Sequence, residues 1–447
     1  MVTEIDNPEQ PPLIHQKAAL TWFSRLYPLT FCGLILWGLC CLSFVVFVAP
    51  THIYYMSYYV ANYDFGFVRR GLAGELLKLF PGNDYFIHSY AAMWMPTVVW
   101  LIGIAVLMVT VLRRGDRFGR APMLALLIPV LPFGYSYAVF APRPELLGMT
   151  AVLAYAMALN RTDNPRHRRI LSALYGSTIA ALAFVHEAIP IELTLGAVLA
   201  VLVLARDAKP TEHRVCIALA ATPGIAATLF IAELGRRDVA APLCAQVPHR
   251  MLENPYSAST PEKAFKYVFG NWAPRADYHE WVCNITKQLD SNFANGVQSV
   301  LQRGPFALTA SFLAGVVIFA GTIWAIGYVS GVSIRDLIGQ LRDRATMPLL
   351  ALVLMAPMFM TAFDWTRWWV MITFDVVVVY ILYAIDQPAL NQPPSRKTQV
   401  VFVLIVMVLA VLPTGPGAHI GGPPFASAEP RIQVGQLSPH TPAPMLT

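Results

Sequence analysis

Four groups of ionisable residues sit at the edges of long apolar runs. They are Asp64 with Arg69 and Arg70 in NYDFGFVRRGL, Arg143 and Glu145 in APRPE, His186 and Glu187 in FVHEAIP, and Asp364 and Arg367 in FDWTRWW. Charge beside hydrocarbon is costly and persists where it has partners or a role. Arginine forks bind phosphate bidentately and stay charged at any pH. A nearby carboxylate can take a proton from an acceptor hydroxyl as it attacks. The arginines, helped by His186, can stabilise charge gathering on a departing phosphate. Together these are the parts needed for glycosyl transfer from a lipid-phosphate sugar. Asp64, His186 and Glu187 are the candidate catalytic groups, and Arg69, Arg70, Arg143, Glu145, Asp364 and Arg367 the candidate substrate-binding groups.

Each group also has a plain local reading. Asp64 can pair with Arg69 or Arg70, or cap the helix that follows. The two arginines can snorkel to headgroups. Arg143 and Glu145, flanked by Pro142 and Pro144, can be a turn ion pair. His186 and Glu187 can be a solvated helix end, and the dipeptide lacks the second His of a metalloprotease helix. Asp364 and Arg367 can bridge locally among Trp365, Trp368 and Trp369. Asp375 and Glu192 lie deeper in apolar runs, as buried partners or as signs of misplaced boundaries. The weight comes from all four groups falling on one side of the layout that follows.

The elements that must position these residues are apolar helices. Of 447 residues, 56% are apolar and 13% charged, about half the charged share of soluble chains. Too few charges remain to cover a soluble core, which excludes soluble enzymes, secreted disulfide scaffolds and nucleic-acid-binding modules. Apolar blocks of roughly 17–25 residues predict an all-α polytopic membrane protein of about eleven spans. These are 29–49, 89–112, 121–140, 146–159, 170–187, 189–205, 215–233, 306–330, 346–363, 370–386 and 399–413. Residues 1–28 read as a polar cytoplasmic segment rather than a cleavable signal.

Placing the N-terminus inside and the C-terminus outside puts 18 of the 32 Lys and Arg residues in inside segments, as the positive-inside bias requires. The four charged groups then lie at the outer face of a plasma membrane, facing the periplasm or exterior. Two outside loops are long. In 50–88, Leu72, Leu76, Leu77, Leu79 and Phe80 share one side from Arg69 to Phe80, predicting a helix in the headgroup plane. Loop 234–305 is polar and reads as a cap of short helices, with Tyr256, Tyr267 and Trp272 among its aromatics. Cys244 and Cys283 both fall in it and can form a disulfide or remain two thiols. Residues 414–447, rich in Pro, Gly and Ser, read as a disordered tail. No Cys and His spacing suggests zinc; no metal site or cofactor is expected, although a divalent ion stays open. There is no P-loop or dinucleotide fingerprint.

This layout resembles the GT-C superfamily of polyprenyl-phosphate-sugar glycosyltransferases over roughly residues 25–330. The matching features are an N-in first span, Asp64 in a first outside loop with interfacial helices, and the second long loop at 234–305. The chain has a single acidic residue at 64 where many members carry a pair. FGFVRRGL and FDWTRWW also resemble segments of uncharacterised bacterial envelope membrane proteins. The resemblance implies inverting transfer from a polyprenyl-linked donor to a glycan, lipid or protein acceptor among membrane lipids, with Asp64 as base and no nucleic-acid partner. Competing readings are a polysaccharide polymerase or ligase using lipid-pyrophosphate donors, a proton-coupled transporter, and a non-catalytic envelope-assembly subunit.

Overall fold

The computed structural model describes residues 13–48, 51–82, 84–253 and 275–412. The tail 414–447, residues 1–12 of the N-terminal segment, and Tyr256, Tyr267 and Trp272 lie outside the described residues. Among the described residues the fold is helical apart from a short antiparallel pair, Met251–Glu253 with Arg275–Asp277, and an isolated bridge between Val68 and Arg236.

Among the described residues, six helical runs are long and apolar enough to cross a bilayer: Leu26–Phe47, Tyr85–Arg114, Ala121–Phe140, Pro210–Leu234, Pro305–Ser330 and Trp365–Ala384. A seventh is possible if the pair Ile334–Arg344 and Thr346–Thr361, bent by 94°, counts as one span. The eleven spans expected from apolar runs are therefore corrected to six or seven. Helices Glu145–Leu159 and Ile189–Leu204 are apolar but short. At about 1.5 Å per residue they fall below the roughly 30 Å of hydrocarbon. Pro165–Ala183 opens with Arg166, His167, Arg168 and Arg169, and Arg396–Val411 has only 16 residues.

Ile189–Leu204 is apolar on every face because it is the centre of the bundle. It packs on Glu145–Leu159, Pro165–Ala183, Pro210–Leu234 and Trp365–Ala384, and almost all its residues are buried. At the periphery the pattern inverts. On Tyr85–Arg114, Val98, Ile102, Val106 and Val109 form an exposed stripe, a surface suited to lipid rather than water. The candidate span Ala121–Phe140 is broken along its length: Pro129 and Pro132 remove backbone donors, giving Ala121–Leu127, a 3-10 turn at Ile128–Val130, and Tyr135–Phe140.

Helix ends gather at two ends of the bundle. At one, Asp386 pairs with Arg114 and Arg206 at 3.0 and 3.1 Å, Arg168 with Glu212 at 3.5 Å, and Arg344 meets His213 at 3.0 Å. At the other, segment 51–80 packs with 184–187 and with the described parts of the cap, 236–253 and 275–301. There the Leu72 N–H donates to Phe184 O at 3.3 Å and the Arg236 N–H to Phe67 O at 2.7 Å. Tyr85 and Tyr278 hydroxyls meet at 2.9 Å, and Cys244 and Cys283 form a disulfide within the cap. The helix expected in the headgroup plane is shorter than its pattern predicts, Gly71–Leu77. It lies so close to the preceding turn that Gly74 N–H donates to Ala61 O at 3.2 Å, an approach a Cβ would obstruct. Leu77 is buried while Leu76, Leu79 and Phe80 are exposed.

Candidate functional site

The cap end carries two adjoining polar sites. The first is a buried charged cluster built from three segments, which Arg69 and Arg70 join from a fourth. Arg143 and Glu145 flank Pro144 where Tyr135–Phe140 gives way to Glu145–Leu159. His186 and Glu187 occupy the break between Pro165–Ala183 and Ile189–Leu204, and Asp364 and Arg367 open Trp365–Ala384. Arg143 and Arg367 each reach Glu145 Oε1 at 4.0 Å, and Arg367 reaches Asp364 at 3.4 Å. Arg143, Glu145, His186 and Arg367 are all buried.

Tyrosines from the 3-10 segment Thr51–Tyr59 roof this cluster. Arg143 Nη2 donates to the Tyr55 hydroxyl at 3.1 Å. The His186 ring lies 5.5 Å from that of Tyr58, and the Arg70 guanidinium 5.8 Å from the same ring. Arg70 has a left-handed backbone, φ 64°, which turns its side chain onto Glu187 in a bidentate pair, with Arg69 at 3.9 Å from the same carboxylate. Burial works against the Glu187 charge, but the Arg70 guanidinium outweighs it and holds the carboxyl well below the usual range.

The second site is an open groove of about 430 Å³, lined by Tyr59, Asn62, Asp64, Lys78, Tyr85 and His88 among others. Asp64 accepts from Lys78 Nζ at 2.6 Å and from Gln246 Nε2 at 3.1 Å. Those two hydrogen bonds, Lys78 first, hold its carboxyl below the ordinary value. Lys78 also donates to Glu75 at 3.0 Å. Phe80 lines the groove, and its neighbour Leu79 and Ile87 beside His88 are strongly exposed.

The structure thus brings together Arg69, Arg70, Arg143, Glu145, His186, Glu187, Asp364 and Arg367. It does not bring Asp64 to them. Asp64 pairs with Lys78 rather than with Arg69 or Arg70, and Arg70 lines a separate small recess with Tyr54 and Tyr58. The arginines are engaged with carboxylates instead of standing open in a shared phosphate pocket. Lys78, Gln246 and the tyrosine roof have no role in the reading of the sequence; the signal for the roof is the aromatic run THIYYMSYY. Glu192, noted but unassigned, is fully buried beside this cluster, its carboxylate near those of Glu145 and the His186 imidazole. Asp375 is buried farther along, against Gly196.

Comparison with known proteins gives one consistent result. Residues 27–410 match the family described as uncharacterised membrane protein Rv1490. The chain is 48% identical over 400 residues to the uncharacterized protein Rv1490 of Mycobacterium tuberculosis, covering 89% of this chain and 92% of that one. It has the same identity and coverage with the uncharacterized protein Mb1527 of Mycobacterium bovis. No solved structure matches. With several helices long and apolar enough to cross a bilayer, the chain is a multi-pass membrane protein, and it belongs to the Rv1490 membrane protein family.

Proposed function

We propose that the protein is a glycosyltransferase of the cell envelope. It transfers a sugar from a polyprenyl-phosphate donor to a glycan, lipid or protein acceptor at the outer face of the plasma membrane. The cap end is the outward one in this reading, supported by the concentration of Lys and Arg in segments assigned to the other side. The observation that carries the proposal is the Asp64 groove. A carboxylate and an ammonium face each other in an open groove that Phe80 also lines, and the exposed Leu79 and Ile87 adjoin the lining residues Phe80 and His88 in the chain. A polar floor with an apolar rim suits a headgroup phosphate whose chain stays in lipid.

In the reaction, the donor phosphate binds Lys78 and draws it from Asp64. The freed carboxylate accepts the proton of the acceptor hydroxyl while that oxygen attacks the anomeric carbon. The bond to the phosphate oxygen breaks with inversion, and the phosphate leaves as an anion held by Lys78. Arg70, Arg143 and Arg367 are not direct clamps in this scheme; they supply positive potential and rigidity behind the tyrosine roof.

The test is transfer from a polyprenyl-phosphate sugar by the reconstituted protein. Asp64→Asn should lower turnover by about 10²–10⁴-fold, the worth of a general base, with insertion and folding intact. Full activity in that variant would refute Asp64 as the base. A polymerase or ligase using lipid-pyrophosphate is favoured by one observation: the arginines form their own cluster away from Asp64. That reading takes over if Arg143 and Arg367 variants, correctly folded, lose product while Asp64→Asn keeps it.

A further inference from the structure

Three buried side chains of the charged cluster form a group that ion pairing does not explain. Glu145, His186 and Glu192 come from three separate segments, yet one ligating atom of each lies within 4.8 Å of the others. All three are buried, Glu192 completely. Both carboxylate oxygens of Glu145, both of Glu192 and Nδ1 of His186 lack hydrogen-bond partners among the described residues. Of these three side chains, only Glu145 lies within ion-pair distance of Arg143 and Arg367, at 4.0 Å each. Among the described residues Glu192 has no ion pair at all.

Two desolvated carboxylates this close are strongly unfavourable unless something positive lies between them. The local fold enforces the closeness. A Cβ on Gly148 would lie 2.7 Å from Ile189 Cγ2 and 2.5 Å from Leu193 Cδ1. Glycine therefore permits the contact that sets the first turn of Glu145–Leu159 against that of Ile189–Leu204. His186, in the break just before the second helix, completes the third side.

We propose that Glu145, His186 and Glu192 bind one divalent transition-metal ion. One imidazole and two carboxylates suit the Mn²⁺, Fe²⁺ and Zn²⁺ class rather than thiophilic ions. Ligand atoms within 4.8 Å of one another need only small side-chain rotations to reach roughly 2.0–2.2 Å from a common centre. Three protein ligands leave further coordination positions for water or a substrate oxygen. Arg143 and Arg367 serve as second-layer partners that orient Glu145, and the Tyr58 ring covers the imidazole. The site is separate from the Asp64 groove and does not depend on the role given to Asp64.

Manganese is the probe, because its electron spin reports its own ligands. The full chain, purified without a polyhistidine tag or reductant so that Cys244 and Cys283 stay bridged, is stripped with chelator and titrated with Mn²⁺ in nanodiscs. The expected result is one tightly bound Mn²⁺ per chain, a raised Tm, and a spin-echo modulation from one imidazole nitrogen. Glu192→Gln and His186→Ala should each weaken binding at least tenfold, and His186→Ala should remove the nitrogen signal. The unmodified chain tests the claim even if both variants misfold. Absence of stoichiometric Mn²⁺ there, or bound Mn²⁺ without nitrogen coupling, would overturn the assignment and leave a proton shared between Glu145 and Glu192. Unchanged affinity in a folded Glu192→Gln variant would overturn it equally.

Discussion

Arg70 grips Glu187 through two parallel hydrogen bonds, Nε to Oε2 and Nη2 to Oε1, both 2.8 Å, between residues 117 apart in the chain. The pair ties segment 51–80 to the break between Pro165–Ala183 and Ile189–Leu204. It also sits on a backbone that opposes it, since a left-handed conformation costs a non-glycine residue roughly 1–2 kcal/mol. With both side chains about three-quarters buried, removing one partner strands the other's charge. Glu187→Gln should therefore destabilise the protein by about 3 kcal/mol. Arg70→Lys should cost less, because it keeps the charge but loses the fork. Thermal unfolding in detergent measures both, and an unchanged midpoint for Glu187→Gln would mean the pair contributes nothing.

Asp64 sets a pH limit. Its folded carboxyl is depressed, chiefly by Lys78 and then by Gln246. A depressed acid contributes its stabilisation above its unfolded value, about 3.9, and loses it as pH falls through the lower folded one. As a base it is thus ionised throughout the neutral range. Transfer should show no acid limb above roughly pH 4. Lys78→Gln should move that limb upward toward the ordinary carboxylate value while also weakening donor binding. A limb near neutrality in the native protein would point to a different base.

Helix positions were legible because apolar runs bounded by Arg, Lys and Pro are long and unambiguous. Their depth was not. Apolar composition cannot separate Ile189–Leu204, walled in by other helices, from Pro305–Ser330, much of which is exposed. Both read as spans, and the count rose accordingly. Convergence of Arg143, His186 and Arg367 followed from their positions at helix ends. Asp64 was grouped with Arg69 and Arg70 by closeness in sequence. Two positive-φ residues between them, Gly66 and Arg70, turn the chain so that Asp64 meets Lys78 and Arg70 meets Glu187. Glu192 was visible as one acid in IELTLGAVLAV, but its partners lie on other segments, which periodicity does not reveal.

The exposed rim makes a claim about the donor's chain. Leu79 is 78% and Ile87 63% exposed beside a polar groove. Replacing both with serine leaves the groove intact but removes apolar surface that would meet a lipid tail. KM for a long polyprenyl donor should rise about tenfold or more, since each buried leucine-sized side chain contributes about 1.5–3 kcal/mol. KM for a short-chain, water-soluble donor should stay within about twofold. Equal effects on both donors would remove the rim from substrate binding.

Gly148 offers a structural test of the contact beneath the cluster. Gly148→Val inserts a branched side chain where even a Cβ meets Ile189 and Leu193, and overpacking of this kind costs about 1–3 kcal/mol. The strain falls one turn from Glu145 and Glu192, so the two carboxylates should separate. The variant should lose thermal stability, and a compensating Leu193→Ala should restore part of it. If the double variant is no more stable than Gly148→Val alone, the glycine is not serving this contact.

The Cys244–Cys283 bridge closes a loop with a sequence separation of 39. By chain entropy, such a closure stabilises a fold by about 4 kcal/mol. Its burden falls on the cap, because Ala240–Ala245 and Tyr278–Thr286 pack on each other across it, while the membrane helices lie outside the loop. Cys244→Ser with Cys283→Ser should therefore leave the bundle inserted and helical but make the cap sensitive to limited proteolysis, with cleavage confined to 234–305. Since the cap supplies Gln246 to Asp64, the same variant should lose transfer activity at temperatures well below those that unfold the bundle. A protease-resistant double variant with native activity would show that cap packing alone, without the covalent link, holds Gln246 in place.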